Sequence, residues 1–266
     1  MIALTDPQTS KVKVEDLGKG IARISLNRPG KLNALDDEMY EGLRRVFDGV
    51  NQDRSVRAVL LTGEGRGFCG GSDVNKMLQQ DLVAGRTRLQ RRHAVIQAVS
   101  AVEKPVVAAV RGPVAGIGFS LAMACDLVIA SDTAYFKQTF RNVGLIPDGG
   151  AIYFLCQQLG VGRAKELVYT GRRLPADEAL NWGIVQSVAA DADLEHRAWE
   201  LVSQLAAGPT LALALTKKLF RAAANASLDT ALEIENFAAG VARVSGDHAE
   251  GVNAFRQKRP PEFKGE

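Results

Sequence analysis

Hydrophobic residues recur along this chain in two rhythms, and the alternation between them predicts strands and helices in turn. Residues 11–14 and 21–26 are β-rich runs broken by Gly18 and Gly20, the pattern of a hairpin. From Asp36, a candidate helix cap, Met39, Leu43, Val46, Phe47 and Val50 return at helical spacing until the polar Asn51, Gln52 and Asp53. The runs AVLLTG (58–63) and PVVAAVRG (105–112), each ending in glycine, and DLVIA (126–130) are short and nearly continuously apolar, as strands buried on both faces are. A helical stretch over 82–102 lies between them. Together they predict an α/β core in which loops after strands carry the site.

From Asp191 onward the strand signals stop. Residues 194–205, 210–224, 228–244 and 249–258 read as helices, with a break at Gly208, Pro209 and Thr210. This divides the chain into an α/β core over 1–190 and a helical region over 191–266. The closing KRPPEFKGE is polar and proline-bearing, so a frayed tail is expected.

Composition narrows the function classes. A chain of 266 residues, 46% hydrophobic, can bury a substantial core. Its 33 basic and 30 acidic residues are mixed along the sequence, without the basic footprint of a nucleic-acid binder. The densest basic cluster, RTRLQRRH at 86–93, lies in a helical pattern and reads as a solvated face, or as basic groups near a polyanionic ligand. Cys69, Cys125 and Cys156 cannot all pair and lack metal-ligand spacing, which points to a reducing compartment. No signal segment is visible and no apolar run approaches the roughly 18 to 20 residues that span a bilayer, so a soluble, cytoplasmic protein is expected.

Two glycine-rich loops carry the candidate chemistry. GEGRGFCGGSDVNKM (63–77) follows one predicted strand and places five glycines in nine positions, which lets backbone N–H groups approach a ligand. RGPVAGIGFSLAMACD (111–126) follows another and runs into an apolar helical stretch. GIG at 116–118 lacks the third glycine of a dinucleotide fingerprint, and no phosphate-loop or GxSxG pattern occurs. Glycines kept for close packing alone would explain each loop singly. Two such loops after two buried strands look more like paired donors for one developing oxyanion.

A third stretch, FRNVGLIPDGG (140–150), holds a lone carboxylate. No other acidic residue falls between Asp132 and Glu166, and no histidine between His93 and His196, so an acid or base here would have to be Asp148. Pro-Asp-Gly is also a plain turn signal.

ISLNRPGKLNAL, GRGFCGGSDVNKM, KPVVAAVRGPVAGIGFSLAMACDLVIAS, GLIPDGGAIYFL and TGRRLPADEALNWGIV resemble, in order and spacing, the enoyl-CoA hydratase/isomerase, or crotonase, family. The resemblance runs from about Val12 to the carboxy-terminal AFRQKRPPEF. It implies a crotonase-type spiral of ββα units with a C-terminal helical region that serves oligomerisation and covers CoA. It also implies an acyl-CoA substrate, of which coenzyme A is a part, and no metal or nicotinamide. Assembly as a homotrimer or a dimer of trimers is implied too.

The resemblance carries roles onto particular residues. The amides of Ser72 and Ile117 match the family's oxyanion donors, flanked by Gly71 and Gly116. The family often has glycine where Ile117 stands, so the loop must take a conformation that a β-branched residue tolerates. CoA contacts would come from Arg28, Lys31, Leu32, Ala34 and Asp73, with Lys76 beside them, and from Phe255 and Lys258, which in some relatives reach a neighbouring subunit's nucleotide. The segment 77–90 would line the acyl pocket. Hydratases of the family carry two glutamates, at the places held here by Ser120 and Phe140. Neither residue can act as a carboxylate, which argues against a standard hydratase. Relatives that isomerise double bonds or act on aromatic thioesters can carry a catalytic aspartate at the place of Asp148, and Phe140 would give that carboxylate a more apolar setting. One carboxylate suffices to move a proton between two carbons. An isomerase is therefore expected, with another reaction on the same intermediate or a silent acyl-CoA binding protein as rivals.

Overall fold

A computed structural model describes residues 10–73 and 81–266. Strands β1 (Val12–Asp16) and β2 (Ile21–Leu26) form the expected antiparallel hairpin, with left-handed Gly18, Lys19 and Gly20 making the turn. Helix α1 (Asp37–Gln52) is capped by Asp36, whose side chain accepts from the Met39 N–H at 3.0 Å. Its stripe of Met39, Leu43, Val46, Phe47 and Val50 is buried, as the spacing predicts.

β3 (Ala58–Gly63), β4 (Val106–Val110) and β6 (Leu127–Ser131) are the three apolar runs, and they occupy the middle of a six-stranded sheet ordered β1-β2-β3-β4-β6-β9. All neighbours after the first hairpin are parallel, and β9 (Ser187–Ala189) closes one edge. Both faces of these strands are covered. Val59, Leu61, Val106, Ala108 and Val110 face the main core, while Leu60, Val107, Ala109 and Ile129 meet α6 (Leu194–Ala206) through Leu194, Ala198, Val202 and Ala206.

Short strands β5 (Pro113–Ala115), β7 (Tyr135–Lys137) and β8 (Leu174–Pro175) build a second sheet set apart from the first. Runs of two or three residues carry too little periodicity to be read from sequence. α2 (Leu82–Ala101) lies against α1, α3 (Ile117–Met123) follows β5 directly, and α4 (Ala151–Thr170) packs on α3. α5 (Ala176–Asn181) leads towards β9. α7 (Thr210–Ala223), α8 (Leu228–Arg243) and α9 (Gly246–Gln257) complete the helical end, with the break at Gly208 and Pro209 where expected.

The tail does not fray. Asp247, 4% exposed, accepts from the N–H groups of Lys264 and Gly265 at 2.7 and 2.9 Å, and its own N–H donates to the Glu266 carbonyl. Arg57 reaches the tail from the sheet side, donating to the Phe263 carbonyl at 2.8 Å and to the Gly208 carbonyl at 2.7 Å. Composition predicted fraying because it cannot see a buried carboxylate waiting for backbone donors.

Candidate active site

The segment after β2 is folded by one buried amide. Leu32 and Asn33 are both left-handed, at φ 49° and 54°, a conformation costing roughly 1–2 kcal/mol per residue and eased for asparagine. Asn33 is fully buried: its side-chain oxygen accepts from the Arg28 N–H at 2.7 Å, and its nitrogen donates to the carbonyls of Glu64 and Gly67 at 3.0 and 2.7 Å. The LNAL turn and the first glycine loop are thereby joined. Gly70 N–H donates to Leu32 O, Leu35 N–H to Gly71 O, and Asp73 N–H to Leu35 O, so Leu35 and Ser72 form a parallel bridge.

Three of the proposed CoA contacts meet here. Arg28 donates to the Ala34 carbonyl at 2.6 Å and to Asp73 Oδ2 at 3.0 Å, and its guanidinium is 3.4 Å from Asp36. Its charge is thus engaged in bracing the loop. Lys31 is exposed at the end of the turn over Pro29–Lys31, and Leu32 and Ala34 are half-buried beside it. Lys76 and residues 77–80 of the predicted pocket segment lie outside the described residues. Phe255, 85% exposed on α9, and Lys258, its left-handed C-cap, have no hydrogen bond or ion pair to either glycine loop among the described residues.

The two glycine loops converge backbone to backbone. Gly116 has φ 53° and ψ −123°, and Gly71 has φ 111°. A Cβ on Gly116 would lie 3.9 Å from Gly71 Cα, 3.0 Å from Thr139 Oγ1 and 3.8 Å from the Phe140 ring, while one on Gly71 would lie 3.3 Å from the Ala115 carbonyl oxygen. Only glycine permits both the approach and the torsions. Ser72 and Ile117 follow these glycines, and among the described residues neither N–H donates to a loop, turn or cap carbonyl. Gly116 takes the left-handed torsion and Ile117 begins α3, which is how the loop tolerates a β-branched side chain.

Asp148 occupies a true turn, with its carbonyl accepting from Ala151 N–H and both Gly149 and Gly150 left-handed at φ 62° and 75°. The turn is pressed onto α3. Ser120 Oγ donates to the Asp148 carbonyl at 3.0 Å, and a Cβ on Gly149 would come 2.1 Å from Ile117 Cδ1. Phe140, 8% exposed, sits on Gly116, so the two places matching the hydratase glutamates border the loop without any ionisable group.

The carboxylate is not in the apolar setting that Phe140 suggested. Arg92 Nη1 donates to Asp148 Oδ2 at 2.5 Å, the two side chains being 8% and 9% exposed. The basic cluster on α2 is consequently not a uniformly solvated face. Arg92 shares the buried stripe of Val95, Ile96 and Val99, a helical spacing in the sequence that marks its position as inward-facing. The guanidinium also stands 5.8 Å from the centre of the Tyr40 ring, and Tyr40 Oη is 2.8 Å from Ser72 Oγ. Burial pushes the Tyr40 hydroxyl far above its ordinary range, partly opposed by Arg92, so it is neutral at physiological pH. Nothing in the sequence ties Tyr40 to Ser72, because the pair is formed by the packing of α1 against the first loop.

A buried carboxylate beside two converging glycine loops suits acid–base chemistry at a carbonyl compound, and the similarity to known proteins points to the class of compound. Residues 16–266 match the family model described as enoyl-CoA hydratase/isomerase. The chain is 38% identical over 253 residues to the 1,2-epoxyphenylacetyl-CoA isomerase of Escherichia coli, covering 93% of this chain and 96% of that protein. It is 33% identical to the short-chain-enoyl-CoA hydratase of Clostridium acetobutylicum, covering 95% and 97%. Its fold matches the crystal structure of enoyl-CoA hydratase from Bacillus anthracis with a TM-score of 0.92 at 33% identity, covering 96% and 100%. These relatives carry both hydratase and isomerase names, so likeness alone does not select the reaction. The chain has the crotonase fold and belongs to the enoyl-CoA hydratase/isomerase family of acyl-CoA enzymes.

Proposed function

We propose that this protein moves the double bond of an enoyl-CoA, with Asp148 as the single proton carrier. The thioester oxygen rests on the Ser72 and Ile117 amides. Asp148 removes an allylic proton, the dienolate is held by the two donors, and the same carboxylate returns the proton at the far carbon, regenerating the ionised base. The observation that carries this reading is Asp148 Oδ1, a buried carboxylate oxygen without a hydrogen bond among the described residues, in a turn whose backbone carbonyl is bonded by Ser120, one of the two places where a hydratase would need a further carboxylate. Losing a base costs roughly 10² to 10⁴ in rate and losing one oxyanion donor about 2.7 to 4 kcal/mol.

The test is a panel of 3-enoyl-CoA thioesters given to wild type and Asp148→Asn, with 2-enoyl product followed by absorbance and chromatography. Conversion that falls at least about 10²-fold in the variant is the expected result. Binding without conversion by the wild type would sink the isomerase reading for those substrates. A second reading follows from the similarity to an enzyme named for a phenylacetyl-CoA derivative. An aromatic acyl-CoA carrying a ring halide would be attacked by the Asp148 carboxylate at the ring carbon that holds the halide, the C–O bond forming as halide leaves, and the resulting aryl ester of Asp148 would be visible by mass in single turnover.

The reading includes self-assembly. α8 buries none of its residues in this chain, and it leaves Phe237 74% and Leu232 51% exposed, as a helix covered by another copy would. Sedimentation showing only monomers would remove this part. A trimeric or hexameric mass supports it.

A further inference from the structure

The Arg92–Asp148 pair is poorly explained as a stabilising contact. Burying two opposite charges rarely yields net stability over an apolar pair. Among the described residues this one also leaves two of its own atoms, Arg92 Nε and Asp148 Oδ1, buried and without partners, and such groups in a folded protein call for a reason. Its geometry supplies one. The backbone at Asp148 is held by Ser120 Oγ and by the glycine turn, but those contacts do not set the side-chain torsions. Arg92 does, by taking Oδ2 and leaving Oδ1 as the carboxylate oxygen without a hydrogen bond among the described residues. Arg92 is in turn fixed by α2, whose Val95, Ile96 and Val99 are buried, and by the Tyr40 ring, whose hydroxyl meets Ser72.

We propose that Arg92 is a positioning residue for proton transfer: it clamps one oxygen of Asp148, aims the other, and through Tyr40 keeps that aim in register with the Ser72 donor loop. The proposal rests on Asp148 being the proton carrier. A misplacement of about 1 Å can cost 10²-fold in rate without touching substrate affinity. A loosened carboxylate should also exchange its captured proton with solvent before returning it.

The experiment compares wild type, Arg92→Gln, Arg92→Lys and Asp148→Asn on a 3-enoyl-CoA in D₂O, reading kcat, KM and deuterium at the newly protonated carbon. Arg92→Gln is expected to lose roughly 10²-fold in kcat with KM changed less than about threefold, and to incorporate more deuterium per turnover. Arg92→Lys is expected to recover part of both losses. Wild-type kcat and deuterium content in Arg92→Gln would overturn the clamp, as would a change confined to KM and melting temperature. If Arg92→Gln does not fold, Arg92→Lys decides: slower turnover with extra deuterium supports the clamp, and wild-type values overturn it. Full activity in Asp148→Asn overturns the proton-carrier reading and the clamp together, whereas an inactive Asp148→Asn beside a wild-type-like Arg92→Gln removes the clamp alone.

Discussion

The Tyr40 and Ser72 hydroxyl groups meet at 2.8 Å, joining the first helix to the loop that presents one candidate oxyanion donor. Tyr40→Phe deletes this bond while keeping the ring under Arg92. The variant should lose roughly 0.5–1.5 kcal/mol of stability, and more when Ser72 Oγ finds no water in place of Tyr40. Thermal melting together with kcat on an enoyl-CoA would check this, and an unchanged melting point and rate would count against any part for the contact.

Gly116→Ala should be far more damaging than an ordinary glycine to alanine change. The new Cβ would sit at φ 53° and ψ −123°, 3.0 Å from Thr139 Oγ1, in a region that L residues rarely enter. A cost of about 1–3 kcal/mol is expected, with displacement of the Ile117 amide and a loss of kcat comparable to removal of an oxyanion donor. Chemical denaturation and steady-state kinetics on the same preparation test both parts.

Asn33→Ala would strand the Arg28 N–H and the Glu64 and Gly67 carbonyls inside the protein. Unsatisfied buried polar groups cost about 1–3 kcal/mol each before relaxation. Because the two segments joined by Asn33 hold the proposed CoA contacts, weaker acyl-CoA binding by calorimetry should accompany the lower melting point. Asn33→Asp should fare no better, since a carboxylate cannot donate to the two carbonyls.

Acid should loosen the carboxy-terminal clasp. Arg259 and the Glu262 N–H hold the Glu250 carboxyl at about 2, down from 4.5. A carboxyl lowered in the folded state contributes stability above its unfolded value and loses it as pH falls through the folded one. The difference in melting temperature between wild type and Glu250→Gln should therefore be present above pH 4.5 and fade as pH falls toward about 2. A difference independent of pH over that window would show that the ion pair does not contribute through its charge.

Much of the molecule was legible from local pattern. The stripe from Met39 to Val50, the apolar runs of β3, β4 and β6, and the late helices follow from period and punctuation alone, because each segment's own side chains select its conformation. The glycines flanking Ser72 and Ile117 were legible for the same reason, since close backbone approach admits no side chain. The identity of the partners was not. Arg92 looked solvated within a run of basic residues, and only the packing of α2 beside the Asp148 turn brings a guanidinium onto that carboxylate across 56 positions of chain. The polar tail looked free until Asp247 and Arg57 supplied acceptors and donors for its backbone. Sequence determined where the longer strands, the helices and the two glycine loops form; the tertiary structure alone decided which buried charge faces which, because such pairs depend on distances that no local periodicity encodes.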